Sequence, residues 1–156
     1  MSHKKKELET HVATLPRQGT IEEAACLMRK HNVGDVIVVE ENVDGRQIPV
    51  GIVTDRDIVV SVIANKVPIE SLKVEDIMSE DLVLAHKETS DADLISMMRT
   101  KGVKRIPIVN KDGYLEGIVS ADNLLEWVAA ELLGLAKTPM RERKIERGRR
   151  SSHQRN

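Results

Sequence analysis

The chain has 156 residues, enough for one compact unit or for two small halves that share a core and fold without staples. Its single cysteine, Cys26, excludes an intrachain disulfide; it falls in a helical pattern, reads as a small core residue and suits a reducing cytoplasmic setting. The net charge of −1 divides into +6 on Lys137 to Asn156 and −7 on the rest, and the chain holds one Tyr, one Trp and no Phe. An acidic body has no electrostatic attraction for nucleic acid, and so few aromatics exclude a base-stacking platform. The longest apolar runs, such as Val36 to Val39, are far short of a membrane span, and the opening MSHKKKELE lacks the apolar run of a secretion signal. A soluble cytoplasmic protein is expected.

In chain order, residues 1–10 are polar. A short strand is expected near His11 to Ala13. Thr20-Ile-Glu-Glu23 is a capping box, and Ile21, Ala24, Ala25, Leu27 and Met28 follow at helical spacing to about His31, with Gly34 as the stop. Val36 to Val39 is β-branched and short, hence a buried strand. After a loop from Asn42 to Gln47, Pro49 to Val53 is a second strand that runs directly into a helix from Asp55 to about Asn65, halted before Pro68.

The pattern then starts again. A short strand near Leu82 to Ala85 precedes Ser90-Asp-Ala-Asp93, which caps a helix bearing Leu94, Ile95, Met97 and Met98 and ending at Gly102. Arg105 to Val109 is a strand, Lys111-Asp-Gly113 a turn, Tyr114 to Val119 a strand, and Asp122 to Leu135 a helix. The first helices and strands of the two halves are offset by 70 positions and the second strands by 66, and the four-residue difference is assigned to a longer loop in the first hairpin. The unit is strand, helix, strand, strand, helix, twice: residues 11–66, then 67–136 including a linker, with 137–156 a basic tail.

The repeated junctions GIVTDRDIV and GIVSADNLL, together with KRIPIV, resemble the signature of the CBS domain, and the whole resembles a tandem CBS pair, or Bateman module, from about Val12 to Leu135. The resemblance implies an α+β fold: two β-α-β-β-α repeats related by a pseudo-twofold axis, each with a small three-stranded sheet and two helices. Two clefts between the repeats commonly take adenosine-containing ligands in this family. Pro107 resembles the family's strand proline, whose neighbours offer backbone groups to an adenine edge, whereas Ile37 stands there in the first repeat.

The strand-to-helix junction has chemistry of its own. Unpaired N–H groups at a helix start form an anion site. Asp57 can accept hydrogen bonds from a vicinal ribose diol, while the Thr54 hydroxyl and the Arg56 guanidinium can reach phosphate. The same Thr-x-x-Asp is also a capping box, and the two roles are compatible. The ligand set on this reading is Thr54, Asp55, Arg56 and Asp57, joined by Lys104, Arg105, Ile106 and Pro107 of the other half. A weaker second site falls on Ser120, Asp122 and Asn123, where Asn replaces the ribose-binding carboxylate and Asp122 adds negative charge. The first-repeat counterpart of Lys104-Arg105 is Gly34-Asp35, with no positive charge.

His3, His11, His31, His86 and His153 show no ligand spacing, so no metal is expected; His86 alone sits where the second cleft is implied. There is no nucleophile elbow, P-loop or triad, so no enzyme is expected. The helices Ile58 to Ala64 and Leu124 to Ala130 carry more apolar surface than one sheet can cover, which points to a homodimer, with Trp127 as an anchor or a core residue. The tail is solvated, extends the last helix, contacts an acidic patch, or binds nucleic acid or anionic lipid. The functional readings are a nucleotide sensor taking AMP, ADP, ATP or NAD, with no cofactor required and an unknown regulated protein, or a ligand-free scaffold for dimerisation and docking.

Overall fold

The computed structural model describes residues 12–136. The polar segment 1–10, His11 and the tail 137–156 lie outside the described residues. Residues up to Ser120 form one unit and those from Ala121 a second.

Helix α1 (Ile21–His31) starts at the expected box: the Glu23 N–H donates to the Thr20 hydroxyl at 3.1 Å and the Thr20 N–H to the Glu23 carboxylate at 2.7 Å. Ile21, Ala24 and Met28 form its buried stripe. Cys26 falls outside that stripe and is exposed, so it is no core residue. The stop is Asn32, left-handed at φ 53°, rather than Gly34, because Asn tolerates this conformation and supplies the helix end two residues earlier. The second copy follows the same logic: α2 (Asp91–Lys101) is capped by Ser90 and ends at Gly102, φ 68°.

Strand β1 (Thr14–Pro16) runs parallel to β2 (Asp35–Glu41), which is antiparallel to β3 (Gln47–Thr54). In the second repeat β4 (Arg105–Val109) and β5 (Leu115–Ser120) pair antiparallel. The strand expected near Leu82 to Ala85 shrinks to one parallel bridge, with the Ala85 N–H donating to the Pro107 carbonyl at 3.1 Å and the Val109 N–H to the Ala85 carbonyl at 2.9 Å. The reason is Pro107. At the matching position of the first repeat the Ile37 N–H donates to the Ala13 carbonyl at 2.9 Å, and proline has no N–H with which to tie down Val83 in the same way.

The four-residue difference between the hairpins lies in the strands and not, as expected, in a longer loop. Both turns close identically. The Asn42 N–H donates to the Arg46 carbonyl at 3.0 Å and the Asn110 N–H to the Tyr114 carbonyl at 2.9 Å. The side-chain oxygen of each Asn accepts the N–H groups two and four residues on. Both ladders also shift register at equivalent places, between Val38 and Val39 and between Ile108 and Val109. The first hairpin simply adds two residue pairs, Glu40 with Ile48 and Glu41 with Gln47. The two turns meet: the Asn42 amide donates to the Tyr114 hydroxyl at 3.0 Å, and the Arg46 guanidinium lies 5.1 Å from the Tyr114 ring centroid.

The alternation of side chains along β2 and β3 separates two cores. Val36, Val38 and Val53 pack with Ile21, Ala24 and Met28 of the repeat's own helix, while Ile37 and Val39 meet Ile118 of the other repeat, flanked by Ile52 and Leu115. After β3 the chain makes one helical turn, Asp55–Asp57, and continues as a π-helix, Ile58–Ile63; together these are α3. Its wide bonds run from the Ala64 N–H to the Val59 carbonyl and from the Val67 N–H to the Val62 carbonyl, at 2.9 and 3.1 Å. The helix stops two residues short of the expected Asn65, whose amide instead donates to the carbonyls of Val60 and Ser61 at 3.2 Å, and Lys66 turns the chain at φ 55°. The second unit holds α4 (Ala121–Ala136). No helix among the described residues is long and apolar enough to cross a membrane.

The connection between the repeats packs on the first one. The Val74 N–H donates to the Gly19 carbonyl at 2.9 Å, Ser79 and Ile52 exchange backbone bonds of 3.0 and 2.9 Å, and Arg17 of the loop after β1 reaches Glu40 at 2.6 Å and Glu80 at 3.0 Å. The two carboxylates, Glu40 first, raise the pKa of the Arg17 guanidinium. Met78 covers Gly51 so closely that a Cβ there would lie 2.5 Å from its Sδ and 3.0 Å from its Cγ. Gly51→Ala is therefore expected to destabilise the fold by about 1–3 kcal/mol in urea unfolding, the usual range for overpacking, and adding Met78→Ala should recover part of the loss. A neutral Gly51→Ala would show that the contact yields without cost.

Candidate ligand-binding cleft

Thr54 is the last residue of β3 and the cap of α3, so the direction of its side chain is fixed by both elements. Its hydroxyl donates to Asp57 Oδ2 at 2.7 Å and accepts the Asp57 N–H at 3.1 Å, and the Thr54 N–H donates to the same Oδ2 at 2.8 Å. The capping box is thus complete, and on the carboxylate of half-buried Asp57 its bonds fall on one oxygen, Oδ2. Asp55 accepts the Arg56 N–H at 2.7 Å and donates its own backbone N–H to the Gly34 carbonyl at 2.9 Å. Asp55 Oδ2 lies 3.3 Å from where a Cβ of Gly34 would stand, so the missing side chain makes room for this carboxylate. Both Asp55 and Arg56 are exposed.

The two repeats meet through an ion pair that the sequence reading missed. Arg105 Nε lies 2.6 Å from Asp35 Oδ1; the Asp35 side chain is 4% exposed and that of Arg105 31%. Asp35 is the cross-strand partner of Thr54, and Arg105 that of Ser120. Directly opposed residues present their side chains on the same face about 5 Å apart, so Thr54, Asp35, Arg105 and Ser120 form one row across the junction of the repeats. The signal was present in the sequence: Asp35 and Arg105 occupy equivalent positions, 70 apart, with opposite charges. Equivalent residues close to a twofold axis approach each other, and here they attract.

A cavity of about 40 Å³ opens beside this pair, lined by Val12, Ala13, Val33, Asp35, Arg105, Ile118 and Ser120. It contains Arg105 and Ser120 of the predicted residues, while Thr54 stands at the other end of the row. Lys104 is exposed, Ile106 is fully buried, and Pro107 is buried with its carbonyl engaged by Ala85. Ser120 is buried at the end of β5; Asp122, exposed, and Asn123 lie in the first turn of α4. His86 serves its own turn: its N–H donates to the Thr89 hydroxyl at 3.1 Å, and its ring Nδ1 lies 3.0 Å from the Val109 carbonyl. A larger open groove, about 640 Å³, runs beside β1 and is lined by residues such as Arg17, Glu40 and Glu41; it holds none of the predicted site residues.

A helix followed by a β-hairpin, found twice with a hydroxyl at the end of each second hairpin strand and with Ile37 and Val39 of one copy against Ile118 of the other, defines a tandem-repeat module. A family model described as the CBS domain matches residues 6–63 and 74–130, and the chain belongs to that family. Among curated relatives, the CBS domain-containing protein YhcV of Bacillus subtilis is 32% identical over 145 residues, covering 93% of this chain and 99% of its own length. An uncharacterized protein of Methanopyrus kandleri is 33% identical over 107 residues, 69% of this chain, and this chain spans about half of it, 53%. Among solved structures, the crystal structure of a CBS domain pair in complex with 5′-methylthioadenosine and S-adenosyl-L-methionine superposes with a TM-score of 0.67 at 24% identity, covering 81% of this chain and 95% of that one.

Arg105→Ala leaves the Asp35 carboxylate buried without its guanidinium and is expected to destabilise the fold by about 2 kcal/mol. Replacing both, as Asp35→Leu with Arg105→Met, should recover most of that loss in the same denaturation experiment. Equal losses in the single and double variants would mean that the loss does not come from the carboxylate left behind.

Proposed function

We propose that the chain is a non-catalytic sensor in which an adenosine-containing compound occupies the cleft between the repeats and changes their relative arrangement. The observation that carries this reading is the Thr54–Asp57 junction, whose capping bonds occupy Oδ2 and leave Oδ1 for a ribose diol. Small-molecule sites span about 300–1,000 Å³, far more than the 40 Å³ cavity beside Asp35 and Arg105. A ligand that reaches from Asp57 into this cavity has to part the row of side chains, which would couple occupancy to the geometry between repeats. That is what a sensor requires, since a ligand shifts an equilibrium only by its preference for one state. Complex formation by a CBS pair with two adenosine compounds supports the reading at the level of the fold. AMP, ADP, ATP and NAD are the first compounds to screen. In this proposal Arg56, Asp55 and Lys104 border the ligand, Ile106 and Pro107 contribute backbone, and Ser120 with Asp122 and Asn123 forms the weaker counterpart.

The closed cleft favours a second reading, a ligand-free scaffold that regulates a partner by docking alone. Thermal-shift screening separates the two. Any compound that binds only the folded chain must stabilise it, by about 2.7 kcal/mol at a hundredfold excess over Kd. A rise in Tm with at least one adenosine compound, lost in Asp57→Ala, is expected; a flat response across all of them would leave the scaffold.

A second copy of the chain is the partner we assign to the apolar helices. Val59, Val60 and Ile63 of α3 are 50–62% exposed, and Leu125, Leu132, Leu133 and Leu135 of α4 are 61–70% exposed. Runs of this kind are covered by an interface in soluble proteins. Sedimentation at micromolar concentration is expected to give a homodimer and Leu132→Glu a monomer. A monomeric parent chain would remove the idea.

A further inference from the structure

The charge of the row across the repeats sets which adenosine compounds fit it, given that the cleft is a ligand site as proposed above. Arg105 is the cation nearest the interior of the row, and it is already committed: Asp35 holds it at 2.6 Å from a carboxylate whose side chain is 4% exposed. A phosphate entering the cleft would compete with Asp35 for this guanidinium. Winning it would take from a buried carboxylate its ion pair with Arg105, an unfavourable change in a protein interior. Sharing it, since a guanidinium has donors beyond the Nε that faces Asp35, would set the phosphate beside the Asp35 carboxylate with one cation between two anions.

The neighbours sharpen the bias. At the Thr54 end stand the carboxylates of Asp55 and Asp57, with Arg56 as the cation of that stretch, and Arg56 is exposed. Gly34, the counterpart of Lys104, contributes no side chain, and Asp55 fills the space beside it. Counting Asp35, Asp55 and Asp57 against Arg56, Lys104 and Arg105, the row and its borders carry no surplus of positive charge before any ligand arrives. A ligand that is uncharged, or that brings a cation of its own, leaves the Asp35–Arg105 pair intact or offers Asp35 a second partner.

We propose that Asp35 is a specificity-determining residue that, by holding Arg105 across the junction of the repeats, selects adenosine compounds with an uncharged or cationic substituent and rejects phosphorylated ones. In the sequence reading Arg105 is a member of the ligand set and the Gly34-Asp35 position is merely without positive charge. Asp35 touches the pair and not the chemistry of any reaction; its role is discrimination.

The test is calorimetric titration of the full chain with adenosine, 5′-methylthioadenosine, S-adenosylmethionine, AMP and ATP, repeated on Asp35→Asn. In the parent chain the unphosphorylated compounds are expected to bind at least tenfold more tightly than AMP and ATP. In Asp35→Asn, which keeps the shape and releases Arg105, that ratio is expected to shift by tenfold or more toward AMP and ATP. Parent binding that favours AMP or ATP, or a ratio untouched by Asp35→Asn, overturns the proposal while leaving the adenosine site standing. Binding of none of the five compounds overturns the site itself, and the specificity assignment with it. Circular dichroism and the urea midpoint of Asp35→Asn establish that it is folded; should it not fold, Asp35→Ser, which likewise removes the carboxylate and releases Arg105, is read for the same change in ratio.

Discussion

The junction of the repeats depends on one buried carboxylate. Asp35 lines a small cavity with Val12, Ala13, Val33 and Ile118, in surroundings where an isolated charge would be untenable. Arg105 makes it tenable, and it does so from the other repeat. Each repeat folds its own helix onto the inner face of its own sheet, but the opposite face is completed only when the other copy arrives, with apolar residues for most of the area and one ion pair at its edge. An apolar pair there would hold the repeats at least as firmly. A charged pair holds them in one register and can be separated by something that satisfies the charges in another way.

Duplication usually yields two equal halves, and the departures from equality here have identifiable causes. Pro107 in place of Ile37 removes one N–H and with it most of a strand. Two added residue pairs lengthen one hairpin and leave its turn unchanged. Asp35 against Arg105 turns a symmetric position into an attraction. None of these changes the fold, and the Asp35–Arg105 pair lies where the repeats meet.

Much of this was legible in the sequence. Capping boxes at Thr20 and Thr54 and the cap at Ser90 marked where helices begin, since a cap depends on residues within one turn and needs no tertiary information. The β-branched run after α1 and the offset of 70 between halves gave the strands and the repeat. What escaped depends on contacts distant in sequence. Cys26 looked like core because helical periodicity allows several stripes, and only packing chooses Ile21, Ala24 and Met28. The four-residue excess could sit in a loop or a ladder, and only pairing of Glu40 with Ile48 decides. The candidate site was read as residues of one junction helped by two cations; the partner that commits one of those cations, Asp35, was visible as a letter but not as a neighbour.

The contacts at the hairpin tips give the junction a mechanical character. Asn42 and Arg46 grip Tyr114 at one end of β2, and the Asp35–Arg105 pair lies at the other. Seven residues of extended chain separate the two, a lever of roughly 20 Å. With the tips acting as a pivot, parting the strand starts by about 2 Å requires a rotation of only about 6°. So small a swing leaves the individual sheets and their internal ladders undisturbed, and places nearly all of the displacement at the end where Thr54 opens its helix.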